Sequence, residues 1–260
     1  MIVGVVIVYS FLLGILSNFP LAELGGAVFA DVTSANVVGY NTLDMNMQYT
    51  MLGNSFGTVG QEGLGKLYLK DIKGEFTDED EIQVSFMNGY MIDFTIYTYY
   101  TENYGYDPEG WYDGQGNYVG DSVYIEQGQA AWLKIASGER VPATISGEVA
   151  GQEITLNNFT KTYEMVVNPY PVAFNPNDTE NVTWSGTTDE DEIQVSFMNG
   201  YMIDFTIYTY YTENYGYDPE GWYDGQGNYI STPVAAVGQG WWLKTADPSS
   251  VTLTIKNPAK

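Results

Sequence analysis

The chain has 260 residues, with 33 acidic against 9 basic side chains, a formal net charge of −24, and neither histidine nor cysteine. A field of that sign repels phosphate backbones and so argues against a nucleic-acid partner, while the two absences remove the commonest general base, the thiol nucleophile and the usual transition-metal ligands. Hydrophobic residues make up 44% and charged residues only 16%, the balance of a chain that folds around packed cores.

The first element is apolar. No side chain between Met1 and Ala22 is charged, and the stretch is long enough to enter a bilayer before Pro20 interrupts it. Val28, Phe29 and Ala30 put small, uncharged residues at −3 and −1 of a cleavage point before Asp31, so residues 1–30 read as an export signal. No basic residue precedes the apolar run, which leaves a retained N-terminal anchor, touching the membrane through residues 1–22 alone, as the rival reading. Either one places the remainder outside the cell or on its surface.

The next signals are those of strands. Ile82, Val84 and Phe86 alternate with Gln83 and Ser85, the period of a strand with one buried face. Asn88-Gly89 then marks a hairpin. A three-residue loop of Met87, Asn88 and Gly89, with Gly89 left-handed, would pair Phe86 with Tyr90, Val84 with Ile92 and Ile82 with Phe94, gathering the apolar residues on one face. Tyr97 and Tyr99 would then lie on the other. Asp107-Pro108-Glu109-Gly110 has the residues of a type I turn, and the glycines around Asp113 mark a second reversal. Short strands are expected at Trp111-Tyr112, Tyr118-Val119 and residues 131–135.

Residues 77–118 recur without a change as residues 188–229. Each copy holds 9 acids, 8 tyrosines and no basic residue, so the repeat carries most of the protein's chemical character. Weaker similarity extends outward, from Tyr49 and Asn54 to Tyr163 and Asn168, and from Gly128 and Lys134 to Gly238 and Lys244. The unit is therefore about 110 residues, the size of one β-sandwich. The expected fold is all-β: two tandem antiparallel β-sandwich modules, residues 31–138 and 139–260, preceded by the apolar N-terminal segment.

Three kinds of candidate site follow. Tyr97, Tyr99 and Trp132, with Tyr208, Tyr210 and Trp242, could form aromatic platforms for a glycan, although tyrosine is also simply a good strand residue. Asp78, Asp80, Asp107 and Asp113, with Asp189, Asp191, Asp218 and Asp224, could offer oxygen ligands to Ca2+, but their spacing fits no EF-hand loop and turn-forming aspartates are the plainer reading. No other cofactor is implied. Asn158, Asn177 and Asn181 each begin an N-glycosylation acceptor pattern. Acids are too abundant for any pair to stand out as a glycosidase dyad, so no catalytic residue is assigned.

Tyr163-x-Met165, Asn168-Pro169-Tyr170-Pro171, the stretch from Asp191 to Val195, Gly221-Trp222-Tyr223-Asp224 and the stretch from Gly238 to Lys244 together resemble modules of uncharacterised secreted β-rich tandem-module proteins of bacteria. The first module departs from this pattern at Asn54-Ser55-Phe56. The resemblance implies an exported protein of unknown activity and transfers no site residues. The composite expectation is a non-catalytic extracellular structural or adhesive protein of a surface or filament, partnered by itself or by other surface proteins. A carbohydrate-binding protein is the alternative.

Overall fold

The computed structural model describes residues 37–43, 48–59, 65–88, 91–136, 142–157, 159, 162–189, 191–199 and 202–258. The expected export or anchor segment lies outside them. The described chain is all-β, with short 3-10 turns as its only helical elements among the described residues.

In the first module the strands are β1 (Val38–Leu43), β2 (Tyr49–Gly53), β3 (Thr58–Val59), β4 (Lys66–Tyr68), β5 (Glu81–Asn88), β6 (Met91–Tyr100), β7 (Gly110–Tyr112), β8 (Tyr124–Glu126), β9 (Ala130–Lys134) and β10 (Ala143–Glu148). The second has β11 (Ile154–Leu156), β12 (Tyr163–Val166), β13 (Val182–Ser185), β14 (Glu192–Asn199), β15 (Met202–Tyr211), β16 (Gly221–Tyr223), β17 (Trp241–Lys244) and β18 (Thr252–Ile255). Each module stacks a three-stranded sheet on a five-stranded one. The orders are β1-β10-β3 over β2-β9-β5-β6-β7, and β11-β18-β13 over β12-β17-β14-β15-β16, with β4-β8 as a small extra ribbon. β10 pairs with β1 and β3, and its Ala143 and Ile145 are buried in the first core, so residues at the start of the expected second module belong to the first sandwich.

The sandwich cores follow from strand alternation. In the first, Leu52, Ile82, Leu133 and Trp111 point from the large sheet toward Leu43, Ala143 and Ile145 of the small one. In the second, Ile193, Trp222, Trp241 and Leu243 meet Val182, Leu253 and Ile255.

The hairpin register differs from expectation. Asn88 pairs with Met91, Phe86 with Asp93, Val84 with Thr95 and Ile82 with Tyr97, and the second copy repeats this from Asn199↔Met202 to Ile193↔Tyr208. Met87 and Asn88 are thus strand residues rather than loop residues, while Gly89, expected to be left-handed, and its counterpart Gly200 lie outside the described residues. Tyr97 and Tyr99 consequently share the core face with Ile82 and Val84, and Ile92 and Phe94 take the opposite face. The physical reason is that both faces of the large sheet are covered, so the one-buried-face assumption that selected the other register does not apply.

What covers the second face is the other module. Met51, Ala130 and Trp132 from the first sheet and Met165, Val167 and Trp242 from the second form a third buried cluster, flanked by Ile92, Phe94, Ile203 and Phe205. The joint is reciprocal. Leu52 bridges Gln239 while Gln129 bridges Val166, and Gly53 N–H donates to the Gly238 carbonyl at 3.1 Å while Val167 N–H donates to the Gly128 carbonyl at 2.9 Å. Corresponding residues of the two modules play corresponding parts, the arrangement of an isologous dimer built within one chain. Glycine at position 53 is required by the close approach, since a Cβ there would stand 2.3 Å from that of Val167.

Candidate binding surfaces

The aspartates are spent on loop architecture. Asp80 is fully buried, and its carboxylate accepts Thr77 N–H at 2.9 Å and Ala136 N–H at 2.8 Å, while Asp78 accepts the N–H and hydroxyl of Thr101. Asp191 and Asp189 repeat this with Thr188, Ala246 and Thr212. Asp113 accepts from Gln115 N–H and from both nitrogens of Asn117, and those bonds, the Asn117 side chain foremost, hold its carboxyl below the usual aspartate range. Asp224 is held down in the same way by Asn228. Asp107 and Asp218 are exposed beside cis prolines. Among the described residues no three acids are grouped to hold a metal, and of the expected Ca2+ ligands Asp78, Asp80, Asp113, Asp189, Asp191 and Asp224 bond to backbone N–H groups instead.

The proposed aromatic platform is likewise dispersed. Trp132 and Trp242 are 5% and 6% exposed inside the inter-module joint, edge-on to Tyr49 and Tyr163, and cannot offer a face to a sugar. Tyr97 and Tyr208 are half-buried against the cores. Tyr99 packs on Phe76 and Trp111 and donates its hydroxyl to Glu109 at 2.7 Å; Tyr210 donates to Glu220. Burial first, and the carboxylate partner second, push the Tyr210 phenol up to about 12 and Tyr99 further in the same direction.

A different set of tyrosines is clustered at the surface. Tyr100 lies on the outward face of β6, and the 3-10 turn Glu102–Tyr104 folds the chain back so that Tyr104 and Tyr106 stack on it, with ring centroids 5.5 Å and 4.2 Å away. Tyr112 meets Tyr106 edge-on, and Tyr118 meets Tyr112 in the same manner. In the second module Tyr211, Tyr215, Tyr217, Tyr223 and Tyr229 repeat the geometry, the closest stack being 4.1 Å. Tyr104 and Tyr215 are half exposed at the outer end. The tyrosine density of the repeat was the signal for this cluster. Choosing among its members needed the turn geometry, which pattern alone does not supply. At the hairpin ends, Phe86 and Met91, and Phe197 and Met202, are exposed beyond the cores.

Two clefts border these surfaces. One of about 200 Å³ lies at the joint, between the Glu126–Gln129 turn and Ile154, Leu156, Phe159 and Met165. The other, about 180 Å³, opens in the first module between Lys70, Lys73 and the wall of Tyr99, Glu109, Trp111 and Tyr118. The same wall in the second module is covered. Asn177 inserts there, its amide nitrogen donating to the carbonyls of Trp222 and Ile230 at 2.8 and 2.9 Å and its oxygen accepting Trp222 N–H at 2.9 Å. Asn177 is therefore a folding residue, not the glycan acceptor that its sequence pattern suggested. No protein-family model, no curated protein and no solved structure matches the chain.

Proposed function

We propose that the chain is a non-catalytic extracellular protein with a structural or adhesive role, holding two copies of one binding surface at a fixed separation. The observation that carries this reading is the pairing of repeat and joint. The stacked tyrosines and exposed hairpin ends recur with the same geometry in both modules, and a buried, reciprocally hydrogen-bonded seam locks the modules together. A rigid pair of like surfaces suits multivalent attachment, where a second contact strengthens the first without new chemistry. Exposed aromatic and apolar side chains at the periphery supply the contact area. Export rests on the apolar N-terminal segment, and the non-catalytic assignment on the missing histidine and cysteine.

The test expresses residues 31–260 and follows particle mass by light scattering and electron microscopy as concentration rises, with retention on insoluble glycans assayed in parallel. Assembly that is weakened when Tyr104→Ala and Tyr215→Ala are combined supports the reading. A strict monomer retained on glycan moves the assignment to carbohydrate binding, and a monomer that does neither overturns both.

A further inference from the structure

We infer that each tyrosine stack, with the carboxylates around it, is a docking surface for an extended, arginine-bearing segment of a partner protein. The inference rests on the adhesive reading and names the chemistry that its paired surfaces meet.

The surface continues one already in use. Side chains alternate along a strand, so the face of β6 that brings Ile92 and Phe94 to the joint runs on through Ile96, Thr98 and Tyr100. Beyond the joint it opens to solvent. Ile96 is 45% exposed, and Tyr104, stacked on Tyr100, is 55% exposed. Ile207, Tyr211 and Tyr215 repeat the strip on β15, with Ile207 and Tyr215 exposed to nearly the same degree. An aliphatic side chain at one end and open rings at the other suit the stem and head of a long cationic side chain, and a strip lying along a strand suits an extended segment.

The charge of the surface selects the partner. Residues 77–118 and 188–229 contain no basic residue. Glu102 stands in the turn that carries Tyr104, Asp107 follows Tyr106, and both are exposed, as are Glu213 and Asp218 in the second copy. Burial first, then Tyr106, Tyr104 and Glu79, raise the Tyr100 phenol above its ordinary value; burial first, then Asp107 and Tyr106, raise that of Tyr112. The rings therefore stay neutral in a negative field. On the same face, Lys134 is already held by Glu81 at 2.6 Å. Two copies meeting through such faces would repel one another, whereas a cation gains from both the rings and the acids. A guanidinium answers each half, because it is planar enough to stack on tyrosine and its fork of N–H groups matches a carboxylate. An ammonium supplies the charge without the stacking plane.

The experiment titrates residues 31–260 by calorimetry with a short capped peptide of alternating arginine and serine, with its lysine counterpart and with its glutamate counterpart. Saturable binding of the arginine peptide at two equal sites per chain is expected, weakening as salt rises. The lysine peptide should bind less tightly and the glutamate peptide not at all. Tyr104→Ala should leave one site unchanged and weaken the other by about fivefold, the size of an exposed cation–ring contact, whereas Tyr104→Phe should bind like the wild type. Adding Tyr215→Ala should weaken both sites. Glu102→Gln with Glu213→Gln gives the same loss through the carboxylates should an alanine variant fail to fold. No saturable binding overturns the inference. Equal binding by the wild type and the doubly substituted variants reduces the effect to diffuse attraction by a net charge of −24 and overturns the surface. Equal binding of the lysine peptide overturns the arginine assignment. Particle mass of the protein alone is followed separately. Assembly that needs Tyr104 and Tyr215, without peptide uptake, gives the surface to a second copy and overturns this inference while the adhesive reading stands.

Discussion

The two modules place the same 42 residues, 77–118 and 188–229, in different surroundings. Within the repeat nearly everything is conserved in three dimensions: register, tyrosine stacking, aspartate-capped loops and the Lys134–Glu81 and Lys244–Glu192 ion pairs. What differs is what the rest of the chain lays against it. In the second module Trp184 packs at a tilt against Trp222 and Asn177 seals the edge of β16; in the first, Phe76 takes the place against Trp111 and the edge borders a cleft. Local sequence thus determines the strand pair and its loops, while the variable flanks decide whether a surface of that pair is core or cleft.

The contrast is sharpest at one position of the otherwise matching β9 and β17. Trp241 is fully buried and stacks on Phe174 at 4.3 Å, where the first module has the small Ala131. Trp241→Ala should destabilise the second module by about 3–5 kcal/mol in urea unfolding, the ordinary cost of deleting a large buried aromatic. A loss below about 1 kcal/mol would mean that the second core does not depend on this ring.

Breaking the joint tests whether the modules act as one unit. Trp132→Ala and Trp242→Ala should each cost about 3 kcal/mol, by the same large-to-small reasoning, and should do so nearly equally because the seam is reciprocal. Calorimetry should then resolve two transitions in place of one. Unequal costs would show that one ring dominates the contact.

Asn177→Ala removes one amide that serves three backbone groups, and should cost about 1–3 kcal/mol through the Trp222 N–H and the two carbonyls left without it. Combined with Trp132→Ala, which separates the two transitions, the loss should appear only in that of the second module. An unchanged midpoint would show that water replaces the amide freely.

The smallest effect is at high pH. The Tyr210 phenol ionises near 10 in an unfolded chain and at about 12 when folded, so the folded state holds its proton longer. Its contribution to stability is complete below pH 10 and is lost as pH rises from 10 to about 12; Tyr99 adds a loss of the same sign. Tyr210→Phe should flatten this alkaline decline. A stability curve level through that window would show that these hydroxyls are not retained as neutral donors to Glu220 and Glu109.

Much of this architecture was legible in the sequence, for reasons that particular residues make plain. Ile82 and Val84 alternate because one face of β5 is core, and the repeat announced the module size. The hairpin register was not legible, because Phe94 and Ile92 are apolar on account of Trp132 and the other module, and single-strand periodicity carries no record of a partner so distant in the chain. Trp132 and Trp242, platform candidates by sequence, are buried on the same account. The aspartates were ambiguous for another reason: Asp80 caps Thr77 and Ala136 with the carboxylate geometry that a metal site would also use, and only the positions of the loops decide between them.

The reciprocal seam has one more consequence. A pair of modules meeting through such an interface as separate chains would dissociate on dilution, at a point set by its affinity. Because the short segment between Glu148 and Ile154 joins them covalently, each meets the other at a fixed effective concentration, in the millimolar range for short tethers. The two-surface geometry therefore survives at very low protein levels, where a dimer of separate chains would fall apart.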